Sequence, residues 1–194
     1  MAAETHFEFR WFDHATATAA QTEQILRIYE YTFANDFDTV FNASIDGDFA
    51  TPLQYFSPEV RGAYGVVVKR EEGSDVEEIV GTVGIRRVVV PETCYAGIGA
   101  DQLPSTRATS LEEANVCELK RMILLPVARG RALSKIMLQE MFSRARELGY
   151  ESMVLGTKKR LHAANYIYET SGGFIDFSNF NNSPRPDRFM IRKL

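Results

Sequence analysis

An apolar run from Met122 to Leu125 stops at Pro126 and gives way to the small, basic stretch Val127-Ala128-Arg129-Gly130-Arg131-Ala132-Leu133-Ser134-Lys135. Beyond it, Leu133, Ile136, Met137, Met141 and Leu148 share one helical face, with Lys135, Gln139, Ser143 and Glu147 away from it. A strand, a turn of small residues and a helix start leave several backbone N–H groups without partners at a positive dipole end. Such an end binds anions, and with Arg129, Arg131 and Lys135 around it the best-suited one is a pyrophosphate. Neither G-x-G-x-x-G nor G-x-x-x-x-G-K-[ST] occurs, so the Rossmann and P-loop readings lack their glycines. On the strand before the turn, Glu118 stands in Val116-Cys117-Glu118-Leu119-Lys120-Arg121-Met122, where a carboxylate must be paired or functional. Its structural partners would be Arg86 or Arg87 on a neighbouring strand, or Lys120 or Arg121. His6, His14 and His162 are general-base candidates by residue type. Two of them belong to the N-terminal region and the third opens a helix behind Lys158-Lys159-Arg160, so all three read as surface or capping residues.

The stretch Arg129-Gly130-Arg131-Ala132-Leu133-Ser134 resembles the coenzyme A signature [QR]-x-x-G-x-[GA] of the GNAT superfamily of N-acetyltransferases. Ala132 stands where glycine is usual and Ser134 where glycine or alanine is usual; both are small enough for phosphate to approach the backbone. Downstream, Ala164, Tyr168, Glu169 and Gly173-Phe174 resemble the second signature, N-x-x-A-x-x-x-Y-E-x-x-G-F, with the Gly-Phe pair one residue late. Its asparagine falls on Leu161, and Asn165, one helical turn on, is the available substitute. Arg188 to Leu194 resembles the closing strand, and the likeness covers roughly Tyr64 to the C-terminus.

The resemblance implies acetyl-CoA as co-substrate, no metal, and a primary amine as acceptor. Backbone groups of Met122, Ile123 and Leu124 would pair with the pantetheine arm, and Arg129, Gly130, Arg131, Ala132, Leu133, Ser134, Lys135 and Asn165 would hold the rest. Acyl transfer to an amine sets its own demands. An ammonium of pKa about 10.4 is mostly protonated at pH 7, and three pKa units amount to roughly 4 kcal/mol, so a base near the thioester helps. Glu118 precedes Arg129 by eleven residues, which matches the strand glutamate that serves as base in the histone-acetylating branch of the superfamily. By the same resemblance Tyr168 would protonate the leaving thiolate; its structural reading is an aromatic on a helix face with Ala164, Ile167 and Ser171. Phe33, Phe37 and Phe41 at helical spacing, with Asp36, Asp38, Asp46 and Asp48 nearby, read either as core or as an acceptor pocket, since acid plus aromatic suits a cation. A small amine, an amino acid, a peptide N-terminus and a protein lysine all fit so far. A non-catalytic coenzyme A-binding or sensor module with the same fold is the competing reading, motivated by Ala132, Ser134 and Leu161. An unrelated α/β protein with a chance turn is the third.

The elements that must position these residues follow from periodicity. Strands are expected at Phe7–Phe12, Ala63–Lys69, Glu78–Val90, Val116–Leu125, Ser152–Gly156, Phe174–Phe177 and Arg188–Lys193, and helices at Thr18–Ala34, Gly130–Leu148 and Leu161–Ser171. Gly149 supplies a helix C-cap, and Arg70 to Asp75 a hairpin turn. Pro91 to Glu113 reads as a long loop. This order gives an α/β sheet of mixed direction with no linker dividing it, and the resemblance implies a mixed, mostly antiparallel sheet of about 6–7 strands flanked by helices, in one GNAT-like domain over residues 1–194. Net charge −4 does not suggest a nucleic-acid surface, and 45% apolar residues can build a sizeable core. Cys94 and Cys117 lack metal-ligand spacing and fit a reduced, cytoplasmic protein. No stretch approaches a membrane span or a signal core, so the expected partner is a small-molecule or peptide amine, with homodimerisation as an option and neither nucleic acid nor membrane.

Overall fold

Phe7, Phe9 and Trp11 alternate with polar residues along β1 (Thr5–Trp11), which pairs antiparallel with β2 (Ala63–Glu71) so that Thr5 faces Glu71 and Trp11 faces Gly65. The computed structural model describes residues 4–37, 48, 52–88, 115–177 and 186–194. β3 (Glu77–Arg87) and β4 (Val116–Leu124) continue the sheet, followed by β5 (Ser152–Thr157), β6 (Ile175–Asp176) and β7 (Arg188–Lys193). The seven strands lie in the order β1-β2-β3-β4-β5-β7-β6. β4 and β5 run parallel, while β5–β7 and β6–β7 are antiparallel, giving the mixed, mostly antiparallel sheet expected. Parallel neighbours need a crossover, and α2 (Leu133–Glu147) supplies it. The other long helices are α1 (Ala19–Asn35) and α3 (His162–Thr170).

Local chemistry explains the boundaries. α1 starts behind a capping box in which the Thr18 side chain accepts from the Gln21 N–H and the Gln21 side chain accepts from the Thr18 N–H. The expected helix from Gly130 begins instead at Leu133, because Gly130 (φ 74°) and Ala132 (φ 59°) are left-handed and cannot join it. α3 ends at Thr170, and the N–H of Phe174 returns to the Tyr168 carbonyl at 3.0 Å. There the extra glycine of the Gly-Gly-Phe segment has a role: a Cβ on Gly172 would stand 2.5 Å from the Tyr168 oxygen. The expected strand Phe174–Phe177 contracts to two residues. The loop 91–113, Phe41, Asp38, Asp46 and Cys94 lie outside the described residues.

Two compact units make up the chain, Met1–Gly84 with Arg121–Met137 and Ile85–Lys120 with Leu138–Leu194. In the first, Ile25, Ile28, Tyr29 and Phe33 of α1 pack with Phe12, Phe56, Tyr64, Val66, Val68, Ile79 and Ile123. The Tyr29 and Tyr64 hydroxyls bond each other inside that core. In the second, Phe142, Met153, Val154, Leu155, Tyr168, Phe174, Phe189 and Met190 are buried, with the Phe142 and Phe174 rings 6.0 Å apart. Among the described residues no helix is long and apolar enough to cross a membrane.

Candidate active site

β4 does not run straight into its loop. Arg121 takes a left-handed conformation (φ 54°) in mid-strand, and the Thr82 hydroxyl donates to its carbonyl at 2.9 Å. The parallel register with β5 covers Val116 to Leu119 and stops before this irregularity. Met122, Ile123 and Leu124 follow it, and Leu125 donates its N–H to the Val80 carbonyl at 2.9 Å. One tight turn over Pro126–Ala128 comes next, with proline at its first position. The chain then extends at Arg129, turns left-handed at Gly130 and again at Ala132, and enters α2. The Ala132 carbonyl accepts from Lys135 (3.0 Å) and Ile136 (3.4 Å), closing the first helical turn. Among the described residues, the N–H groups of Ala132, Leu133 and Ser134 find no acceptor. They open at the positive end of a 15-residue helix, the arrangement that holds a phosphate. Ala132 therefore keeps the backbone shape for which glycine is usual, at a cost of about 1–2 kcal/mol.

The basic side chains of this loop are engaged with the protein. Arg129 donates through Nε to the Leu124 carbonyl at 2.8 Å and through Nη2 to Asp36 at 2.6 Å. Arg131 lies 4.4 Å over the Phe7 ring and donates to the Val127 carbonyl at 3.3 Å. Sequence spacing places both arginines beside the loop but does not show that their donors turn inward. Lys135 is exposed on the first turn of α2.

Arg121 was expected at most as a partner of Glu118, and it pairs elsewhere. Its guanidinium meets Asp48 through two bonds of 2.6 Å, with the Tyr29 and Phe33 rings 5.8 and 5.7 Å away. Both side chains are nearly closed to solvent, 12% and 4% exposed. Of the acid-plus-aromatic pattern near α1, Asp48 and Phe33 thus hold a cation of the protein's own. Phe33 belongs to the core, with Phe37 5.3 Å from it.

Glu118, Tyr168 and Asn165 lie in the second unit. Glu118, 13% exposed, accepts from Arg86 at 3.1 and 3.3 Å, and Lys120 stands 3.6 Å from its other oxygen. The ion pair with Arg86 is the structural role its position on β4 allowed. Tyr168 is buried on α3 with its ring edge-on to Phe174 at 6.1 Å, and burial pushes its hydroxyl up to about 12. Asn165 donates to the Lys158 and Lys159 carbonyls at 2.9 and 3.1 Å, while its buried side-chain oxygen has no partner. It thereby closes the turn before α3, where Leu161 offers no side-chain cap. His6 and His162 are exposed, and His14 stands edge-on to Phe12.

The Acetyltransferase (GNAT) family model matches residues 31–174, and the chain belongs to that family. It is 34% identical over 79 residues to an uncharacterized N-acetyltransferase of Dictyostelium discoideum, covering 41% of this chain and 36% of that protein. It is 37% identical over 60 residues to the uncharacterized N-acetyltransferase YjgM of Escherichia coli, covering 31% of this chain and 36% of that protein. The matches thus span little more than a third of the length of these relatives. Solved structures share the fold: a GNAT-family acetyltransferase from Staphylococcus aureus has a TM-score of 0.69 at 16% identity, with 97% of this chain and 99% of that one covered. The yncA structure from Salmonella typhimurium, which holds its cofactor acetyl-CoA, has a TM-score of 0.62 at 17% identity, with 97% and 94% covered.

Proposed function

We propose that this chain is an acetyl-CoA-dependent N-acetyltransferase that moves an acetyl group to a primary amine by direct attack on the thioester. The observation that carries the reading is the loop after β4. Gly130 and Ala132 are left-handed there, and three amides are open at the start of α2. The amides of Ala132, Leu133 and Ser134 would take the pyrophosphate, with Lys135 adding charge, and Met122 to Leu124 would offer backbone groups to the pantetheine arm. Arg129, Gly130 and Arg131 shape the loop. Asn165 would contribute the side-chain oxygen that its carbonyl bonds leave over. Tyr168 is proposed as the general acid for the departing thiolate; a hydroxyl raised to about 12 carries its proton throughout the physiological range. Glu118 is proposed as the base. With cations on both carboxylate oxygens, it would receive the proton through a water.

A non-catalytic coenzyme A-binding module is the second reading, and the Glu118 ion pairs favour it, because a carboxylate bound at both oxygens is already serving the sheet. Calorimetric titration with acetyl-CoA, followed by thiol release across a panel of amines, separates the two. Binding with turnover on at least one amine is expected. Binding without turnover on any amine selects the module, and no binding removes both readings.

A further inference from the structure

We infer that Asp36 is a positioning residue for the acetyl-CoA loop, acting through Arg129; the inference rests on the cofactor reading proposed above. Residues 129 to 132 are all exposed, suspended between buried Ala128 and buried Leu133. Nothing lies within 4 Å of where a Cβ on Gly130 would be, so the stretch is held through the side chains of Arg131, over the Phe7 ring, and Arg129. It must present the amides of Ala132, Leu133 and Ser134 in one geometry. The Arg129 fork supplies a tether: Nε bonds the last carbonyl of β4, on Leu124, and Nη2 bonds Asp36, the C-cap residue of α1. Two donors of one planar group divided between two fixed elements leave residue 129 little freedom. A loop ordered before its ligand arrives binds more tightly than one ordered by the ligand.

The sign of the effect makes the inference testable. By charge alone a carboxylate near a phosphate-binding loop is unfavourable, and Asp36→Asn would tighten acetyl-CoA by about twofold. By positioning, the same change releases Arg129 and weakens binding by about fivefold or more. Acetyl-CoA and S-acetylpantetheine, which lacks the pyrophosphate, are titrated by calorimetry into wild type, Asp36→Asn, Asp36→Glu and Arg129→Lys. The expected result is weaker acetyl-CoA binding in Asp36→Asn and Arg129→Lys, unchanged S-acetylpantetheine, and partial recovery in Asp36→Glu. Arg129→Lys keeps the charge and loses the fork, so it distinguishes geometry from electrostatics. Equal or tighter acetyl-CoA binding in Asp36→Asn, or equal loss of both ligands, overturns the inference and leaves the proposed function standing. Absence of acetyl-CoA binding in wild type removes the proposed function itself.

Discussion

Single atoms decide most at Ala132 and Tyr168. An alanine at φ 59° costs about 1–2 kcal/mol, and a glycine there would return part of that to a more flexible unfolded chain. Ala132→Gly is therefore expected to raise stability by roughly 0.5 kcal/mol in chemical denaturation, with acetyl-CoA affinity kept. Aspartate tolerates the left-handed region, so Ala132→Asp should fold while placing a carboxylate beside the open amides. Its acetyl-CoA affinity should fall steeply; an unchanged dissociation constant would move the site away from this loop. At Tyr168, no described group bonds the hydroxyl, so Tyr168→Phe should leave the melting temperature intact. A general acid lost in that variant would lower kcat by about 10²-fold with little change in KM, whereas full activity would make Tyr168 core alone. Glu118→Gln tests the other assignment. A base predicts that kcat/KM drops at neutral pH and recovers at high pH. A purely structural ion pair predicts lower stability and an unaltered pH–rate curve.

Elements with strong local grammar were legible in the sequence. The β7 residues Arg188–Lys193 are those expected, and α1 falls within a residue of its expected bounds because Thr18 and Gln21 signal its start. The hairpin turn carries Gly73 at φ 77° as its composition required. What periodicity could not show is conformation at single residues that interrupt an element. Arg121 in a strand and Ala132 before a helix carry no type signal for a left-handed backbone, so the irregular β4 and the late start of α2 were both missed. Charge partners were half legible: Glu118 with Arg86 followed from adjacent strands, while Arg129 with Asp36 spans 93 positions of chain. The end of α3 gives an element-scale expectation. Gly172→Ala should destabilise by roughly 1–3 kcal/mol, since its Cβ would collide with the Tyr168 carbonyl and that backbone cannot yield cheaply. A wild-type melting curve would show that the second glycine, Gly173, suffices to end the helix.

At the scale of the whole molecule, buried phenols govern behaviour in alkali. Burial raises the Tyr29, Tyr64 and Tyr168 hydroxyls above the ordinary value of 10.0, Tyr168 to about 12. Each prefers to stay protonated in the folded state, so its contribution is fully present below pH 10 and is lost as pH climbs through the folded value. Tyr168 alone accounts for about 2–3 kcal/mol between pH 10 and 12. Urea titrations at pH 7, 9 and 11 should therefore show stability nearly level between the first two and falling at the third. Tyr29→Phe should remove part of that fall, and a flat profile to pH 11 would contradict the burial of these groups.

The enclosure of Arg121 with Asp48 also constrains how this chain can change over generations. Losing either partner removes two close bonds from a charge that is nearly closed to solvent, at a cost of about 3 kcal/mol, which is a large part of a typical domain's margin. Replacing both with apolar residues of similar volume is far milder. Drift at the two positions must then pass through a compensated step. In an alignment of relatives, positions 48 and 121 should be charged together or uncharged together, with mixed states scarce.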